Sequence, residues 1–269
     1  MRFPLILLLI LIATSAWGQT PAPKGAPKAA PAKPRTGYLT AAEMPDIGKI
    51  VPPPAAAGSP QEARDLAVYR ATRAMEGTPR WALALSDNDL TTASMLKVFS
   101  CSLGVSLTPD NAPRLTALMT KATADWTNGF NTLKSLYGTK RPYDIEPGKV
   151  CIASTSGLAN SPDYPSGHTT WGWALGLVLT ELAPDRATGV LMRAKAYGES
   201  RVVCGLHTVS AVEGGMATAT AVLAVQHGSA AFRADLEAAR AELAGLRAAA
   251  AGTPASCALE SQALGKSPY

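Results

Sequence analysis

"HTTWGWALGLVLTELA", residues 168–183, would be apolar on nearly every side if wound as a helix. A helix of that kind belongs at the centre of a protein rather than on its surface. "GGMATATAVLAV", residues 214–225, has the same character. Both lie beside one of only three histidines, His168 for the first and His207 ahead of the second. Polar groups at their starts therefore face inward, and buried polar groups are costly without partners.

Around these two, helix signals recur and strand alternation is nearly absent. In residues 59–77, Ser59 reads as an N-cap, Pro60 as the first helical residue and Glu62 as the partner of a capping box, with Gly77 as the stop. A second helix runs through residues 91–104, capped by Asp87 or Asp89 and ended by Gly104. Residues 108–126 and 184–203 read as further helices. Phe232, Leu236, Ala239, Leu243 and Leu246 recur at spacings of four and three, one apolar stripe on an amphipathic helix. His227, beside Gly228, reads as a C-terminal cap, and Trp171 and Trp173 as core. The expected fold is all-α, a single-domain helical bundle around two central apolar helices.

The chain ends are of other kinds. Residues 1–18 pass from Arg2 through a Leu/Ile-rich stretch to a small-x-small end at Gly18, the plan of a secretory signal peptide. Its apolar stretch is shorter than the ~20 residues a bilayer span needs, and no later run is long and uncharged enough, so no membrane span is expected in the mature chain. Residues 19–36 form a Pro/Ala/Lys-rich linker, residues 37–250 the helical domain and residues 251–269 a C-terminal tail. The formal charge of +5 resides in Arg2, Lys24, Lys28, Lys33 and Arg35, so the rest is balanced and no nucleic-acid partner is implied. Cys101, Cys151, Cys204 and Cys257 in an exported chain predict two disulfides, in any of three pairings. None forms a CxxC pair or joins a histidine cluster, so no metal is expected.

Three segments carry chemistry. "KSLYGTKRP", residues 134–142, separates Lys134 from Arg141 by seven residues, nearly two helical turns, which would put both on one face. "YPSGH", residues 164–168, sets Ser166 and Gly167 at the start of a central helix, where free N–H groups and the helix dipole favour an anion. In "SRVVCGLHTVSA", residues 200–211, Arg201 and His207 would occupy different faces of an unbroken helix, but a break at Gly205 lets both reach one cavity. Cations with two histidines suit a tetrahedral oxyanion, because arginine forks match phosphate oxygens and lysine adds a point charge.

K-x6-R-P, P-S-G-H and S-R-x5-H in this order resemble the three-part signature of the type 2 phosphatidic acid phosphatase superfamily. With "FSCSLGVSLTP", "YPSGHTTWGWALGLVLTELAPDR" and "GESRVVCGLH", the chain resembles bacterial class A non-specific acid phosphatases from about residue 66 to about residue 240. The resemblance implies an exported acid phosphatase, periplasmic or secreted, acting on small phosphomonoesters without cofactor and self-associating. It makes His207 the nucleophile that forms a phosphohistidine and His168 the acid and base. Lys134, Arg141, Ser166, Gly167 and Arg201 would hold the phosphoryl oxygens.

One position departs from that pattern. The family's nucleophile is followed by H-x3-D, and Ala211 stands where the aspartate belongs. A carboxylate there would fix the histidine's tautomer and stabilise its charged form, so reduced activity is expected, together with a gain on Ala211→Asp. The loss also keeps two other readings in play: a non-catalytic binder of phosphate or a phospholipid headgroup and, more remotely, a vanadium-dependent haloperoxidase.

Overall fold

A computed structural model describes residues 36–153, 158, 160–250 and 257–269. The signal peptide, the linker but for its last residue, and residues 251–256 of the tail lie outside the described residues. The helices are α1 (Ile47–Ile50), α2 (Pro60–Thr72), α3 (Pro79–Ser86), α4 (Thr92–Leu103), α5 (Pro113–Tyr137), α6 (Pro142–Ile145), α7 (Gly167–Leu182), α8 (Ala187–Val203), α9 (Val209–Gln226), α10 (Ala230–Ala249) and α11 (Cys257–Leu264). No strand occurs among the described residues, as the all-α expectation requires.

Local signals set most of the boundaries. Ser59 accepts the Glu62 N–H ahead of Pro60 at the start of α2, while the Glu62 carboxylate receives the N–H of Gly58 rather than that of Ser59. The start of α4 corrects the expected cap: Thr91 is the N-cap, and Asp89 accepts the Thr91 N–H at 2.8 Å from two residues upstream. Asp87 instead ends α3. α5 continues well past residue 126 because nothing breaks it before Gly138, whose φ of +57° closes it. His227 is the C-cap of α9, as expected, and its Nε2 lies 3.0 Å from Glu181 Oε1.

α7 is central, packed against α8, α9 and α5, with α10 along α5. Leu175, Val178 and Leu179 of α7 are buried with Val190 and Tyr197 of α8 and Val222 of α9. Two glycines permit this closeness. A Cβ at Gly172 would fall 2.3 Å from the Tyr197 ring, and one at Gly215 would fall 2.7 Å from the Ser166 carbonyl oxygen. Trp171 and Trp173 pack against this core only partly buried, with their indole N–H groups on Thr127 and Thr220. Among the described residues no helix is long and apolar enough to cross a membrane.

Both disulfides form. Cys101–Cys257 ties α11 to α4, and Cys151–Cys204 ties the loop after α6 to the end of α8. The second lies three residues before His207, so it anchors the turn that presents that ring.

Candidate active site

α7 begins with Ser166 as N-cap, its Oγ receiving the Thr169 N–H at 3.3 Å and the Thr169 hydroxyl at 2.9 Å. The Ser166 backbone is committed, contrary to the expectation of a free N–H: it donates to the Ala211 carbonyl at 2.9 Å. The orphan donors of this helix start are the N–H groups of Gly167 and His168, in the first turn where no intrahelical acceptor exists. A Cβ at Gly167 would lie 3.0 Å from the Phe130 ring, so glycine serves ring packing as well as close approach.

Lys134 and Arg141 converge, but not along one helix face. α5 stops at Tyr137, Gly138 turns the chain, and Arg141 stands at the N-cap of α6. Folding back brings the two together from opposite sides of the turn. Lys134 Nζ donates to the Pro162 carbonyl. Arg141 Nε donates to the Ser161 carbonyl at 2.8 Å, and its Nη1 to the Leu206 carbonyl at 2.6 Å.

The break at Gly205 is real. α8 ends at Val203, Gly205 has φ +72°, and α9 starts after its cap Thr208. The Leu206 N–H folds back onto the Arg201 carbonyl at 3.0 Å, which returns His207 to the arginine it follows by six residues. Arg201, 1% exposed, donates from Nη2 to Asn88 Oδ1 at 3.0 Å. Its Nε and Nη1 are buried without a partner among the described residues. Asn88 also holds His168, whose Nε2 lies 3.1 Å from the Asn88 carbonyl oxygen.

The charges of Lys134, Arg141 and Arg201 act on both rings. Burial first, then Arg141, Lys134 and Arg201, push the His207 pKa well below the usual histidine value. Burial and Arg201, then Arg141 and Lys134, do the same to His168. Lys134 is itself brought down to about 7, mainly by burial and then by Arg141, and burial brings Arg201 to about 10. Burial is the largest cause in each case, and neighbouring cations add to it for both histidines and for Lys134. A bound anion would relieve all of them.

Ala211 is wholly buried and supplies no carboxylate, yet His207 does not lack one. Its Nδ1 lies 2.9 Å from Oδ1 of Asp163. An ionised carboxylate only accepts, so this contact assigns the hydrogen to Nδ1 and the lone pair to Nε2. Arg141 Nη1 lies 3.2 Å from that Nε2, on the donor side of the pair. The expected vacancy is therefore corrected, and a carboxylate added at 211 has no unmet ring nitrogen to serve.

Asp163 and Asn88 are the two residues that sequence reasoning missed. A signal for the first existed: Asp163 is the only acid between Glu146 and Glu181, one residue before the quoted "YPSGH". Asn88 had none, since an amide in a loop is common.

Comparison with known proteins identifies relatives of this chain. A family described as the PAP2 superfamily matches residues 114–233, which include every one of the seven sequence-predicted site residues. An acid phosphatase of Zymomonas mobilis is 39% identical over 188 residues, 70% of this chain and 71% of that protein. A non-specific acid phosphatase of Providencia stuartii is 32% identical over 77% of this chain and 84% of its own length. One from Salmonella typhimurium is 32% identical over 61% and 67%.

Proposed function

The chain belongs to the PAP2 superfamily, among its acid phosphatases, and from that premise we propose that it is an exported enzyme hydrolysing phosphomonoesters through a phosphohistidine at His207. The observation that carries the reading is Arg201, fully buried with two guanidinium donors unused among the described residues, beside two histidines whose rings its charge reaches. Buried donors without acceptors are rare because they are costly. A phosphoryl group supplies the acceptors.

On substrate entry the Arg141 N–H transfers from His207 Nε2 to a phosphoryl oxygen and frees the lone pair. Nε2 attacks phosphorus as the P–O bond to the leaving group breaks. His168 donates to Asn88 through Nε2, so its Nδ1 delivers the proton to the departing oxygen. That nitrogen then takes a proton from the water that cleaves the phosphohistidine and releases phosphate. Lys134, Arg141, Arg201, the Ser166 hydroxyl and the N–H groups of Gly167 and His168 hold the phosphoryl oxygens as charge develops. The substrate's negative charge raises the pKa of His168 from its depressed value, and acidic solution supplies the proton, so activity is expected on the acid side.

Export is supported by the pattern of residues 1–18 and by two disulfides, which persist in oxidising compartments. Self-association is part of the same proposal, on the class A resemblance alone. The non-catalytic reading lost its motive when His207 was found against Asp163, and the haloperoxidase reading has no observation in its favour. Phosphate release from an aryl phosphate at acidic pH tests the enzyme, with the His207→Ala variant expected at background. A wild-type rate no faster than that variant overturns it.

A further inference from the structure

We propose that Asp163 is the positioning residue of the nucleophile, replacing from another segment the aspartate that the family pattern sets four residues after it. This rests on the phosphatase reading above.

Asp163 is placed as such a role demands. It is 3% exposed, and both its oxygens are engaged. Oδ1 meets His207 Nδ1 at 2.9 Å and the Thr208 N–H at 3.3 Å, while Oδ2 receives the Thr208 hydroxyl at 2.6 Å. Its backbone is fixed as well. The Asp163 N–H donates to the Thr139 carbonyl at 3.0 Å, and the Tyr164 N–H to the Thr139 hydroxyl at 2.9 Å. A carboxylate bound at both oxygens and at its own backbone has little freedom to leave the ring.

Position 211 holds a buried methyl group in place of a carboxylate. Ala211 lies in the main apolar core, and its carbonyl receives the Ser166 N–H. The α9 turn that carries a carboxylate in the family pattern here clamps the segment that carries Asp163. The consequence is mechanical. In H-x3-D the nucleophile and its carboxylate ride on one helix, whereas here the carboxylate rides three residues ahead of Ser166. Displacing the phosphate-binding segment would also turn the nucleophile.

Charge agrees with geometry. Burial raises the Asp163 pKa to about 6 despite the Thr208 hydrogen bond and the charges of Arg141 and Lys134. Lys134 of α5, Arg141 before α6 and His207 and Thr208 before α9 all face it. A cavity of about 330 Å³ that Asp163 and Thr208 line is also walled by Glu62 and Asp65 of α2 and by Lys140.

Asp163→Asn tests the assignment. The amide keeps the size of the side chain but presents an N–H to one of its two partners. Facing Nδ1 it forces the hydrogen onto Nε2 and removes the lone pair. The comparable change in a serine-protease triad, carboxylate to amide beside the catalytic histidine, lowers kcat by about 10⁴-fold. A fall of roughly 10²–10⁴-fold in kcat is therefore expected on an aryl phosphate, with slow phosphoenzyme formation in rapid quench. KM and the calorimetric affinity for inorganic phosphate should stay within about threefold, because the phosphate ligands are untouched. An active wild type with an equally active Asp163→Asn variant, or one that loses phosphate affinity alone, overturns the proposal while leaving the phosphatase reading intact. An inactive wild type overturns that reading instead. Should the variant not fold, nitrogen NMR of the phosphate-free wild type decides: hydrogen on Nδ1 of His207 is expected, and hydrogen on Nε2 overturns it.

Discussion

α8 carries two buried arginines, Arg193 and Arg201, and their surroundings are opposite. Arg193 is closed off: its Nη2 donates to Asp87 Oδ1 at 2.5 Å, its Nη1 to Asp87 Oδ2 at 3.2 Å and its Nε to Glu260 at 3.1 Å. The Ser200 hydroxyl donates to Asp87 Oδ2 at 2.6 Å and is itself met by Arg80. Arg201, eight residues on and about 80° around the helix, meets the neutral amide of Asn88 and keeps two donors unused among the described residues. The partners are chain neighbours, Asp87 and Asn88. Carboxylates at Asp87 and Glu260 close off one arginine, whereas the amide of Asn88 leaves the other with two open donors among the described residues. The carboxylates around Arg193 offset its burial and raise its pKa, whereas burial lowers that of Arg201.

The contrast is broken most sharply by removing each arginine in turn. Arg201→Met should lower kcat/KM on an aryl phosphate by about 10²–10³-fold, the usual loss of an oxyanion donor, with little change in Tm. Arg193→Met should leave kcat nearly unchanged while costing about 3–5 kcal/mol of stability, since Asp87 is then buried and uncompensated. Denaturation and steady-state kinetics on both variants check the pair, and a reversal of the two patterns would refute the division of labour.

A smaller change should convert one environment into the other. Asn88→Asp gives Arg201 a carboxylate like that of Arg193 and an internal competitor for phosphate. Inorganic phosphate affinity by calorimetry should fall about tenfold or more, the equivalent of 1.4 kcal/mol, and unchanged affinity would show that the amide is not what keeps Arg201 available.

The mildest test concerns Lys134, whose Nζ donates to the Pro162 carbonyl and whose pKa is about 7. Its charged form is present below that pH and lost above it, and kcat/KM reports the free enzyme. A decline is therefore expected as pH rises through about 7. Lys134→Arg should carry that decline to higher pH, because arginine stays protonated. An alkaline limb that does not move assigns the limb to another group.

Much of the fold was legible in residues 168–183 and 214–225, since a helix apolar on every face has no stable place but the middle. Caps written as Ser59-Pro60 and stops written as Gly104 were equally readable, because they act within a few residues. The reach of α5 was harder to read: Gly138 decides where it ends, and that stop turned Arg141 off the face shared with Lys134. The site was legible as a cast of residues. Ser166, Gly167, His168, Arg201 and His207 were named from spacing and the break at Gly205, and the structure brings them together. Asp163 escaped because its partner lies 44 residues away, and Asn88 because its hydrogen bonds reach 80 and 113 residues along the chain.

From the order of its residues alone, then, this protein is a helical bundle in which three cations and two histidines stand at the starts and ends of central helices. Helix periodicity, capping and glycine turns are local, and local forces can be read along a chain. Which aspartate serves His207, which arginine receives a carboxylate and which cysteines pair were decided only by folding. Those choices depend on distances of about 3 Å between segments that the sequence keeps far apart, and at that scale an aspartate at 163 does what the pattern asks of one at 211.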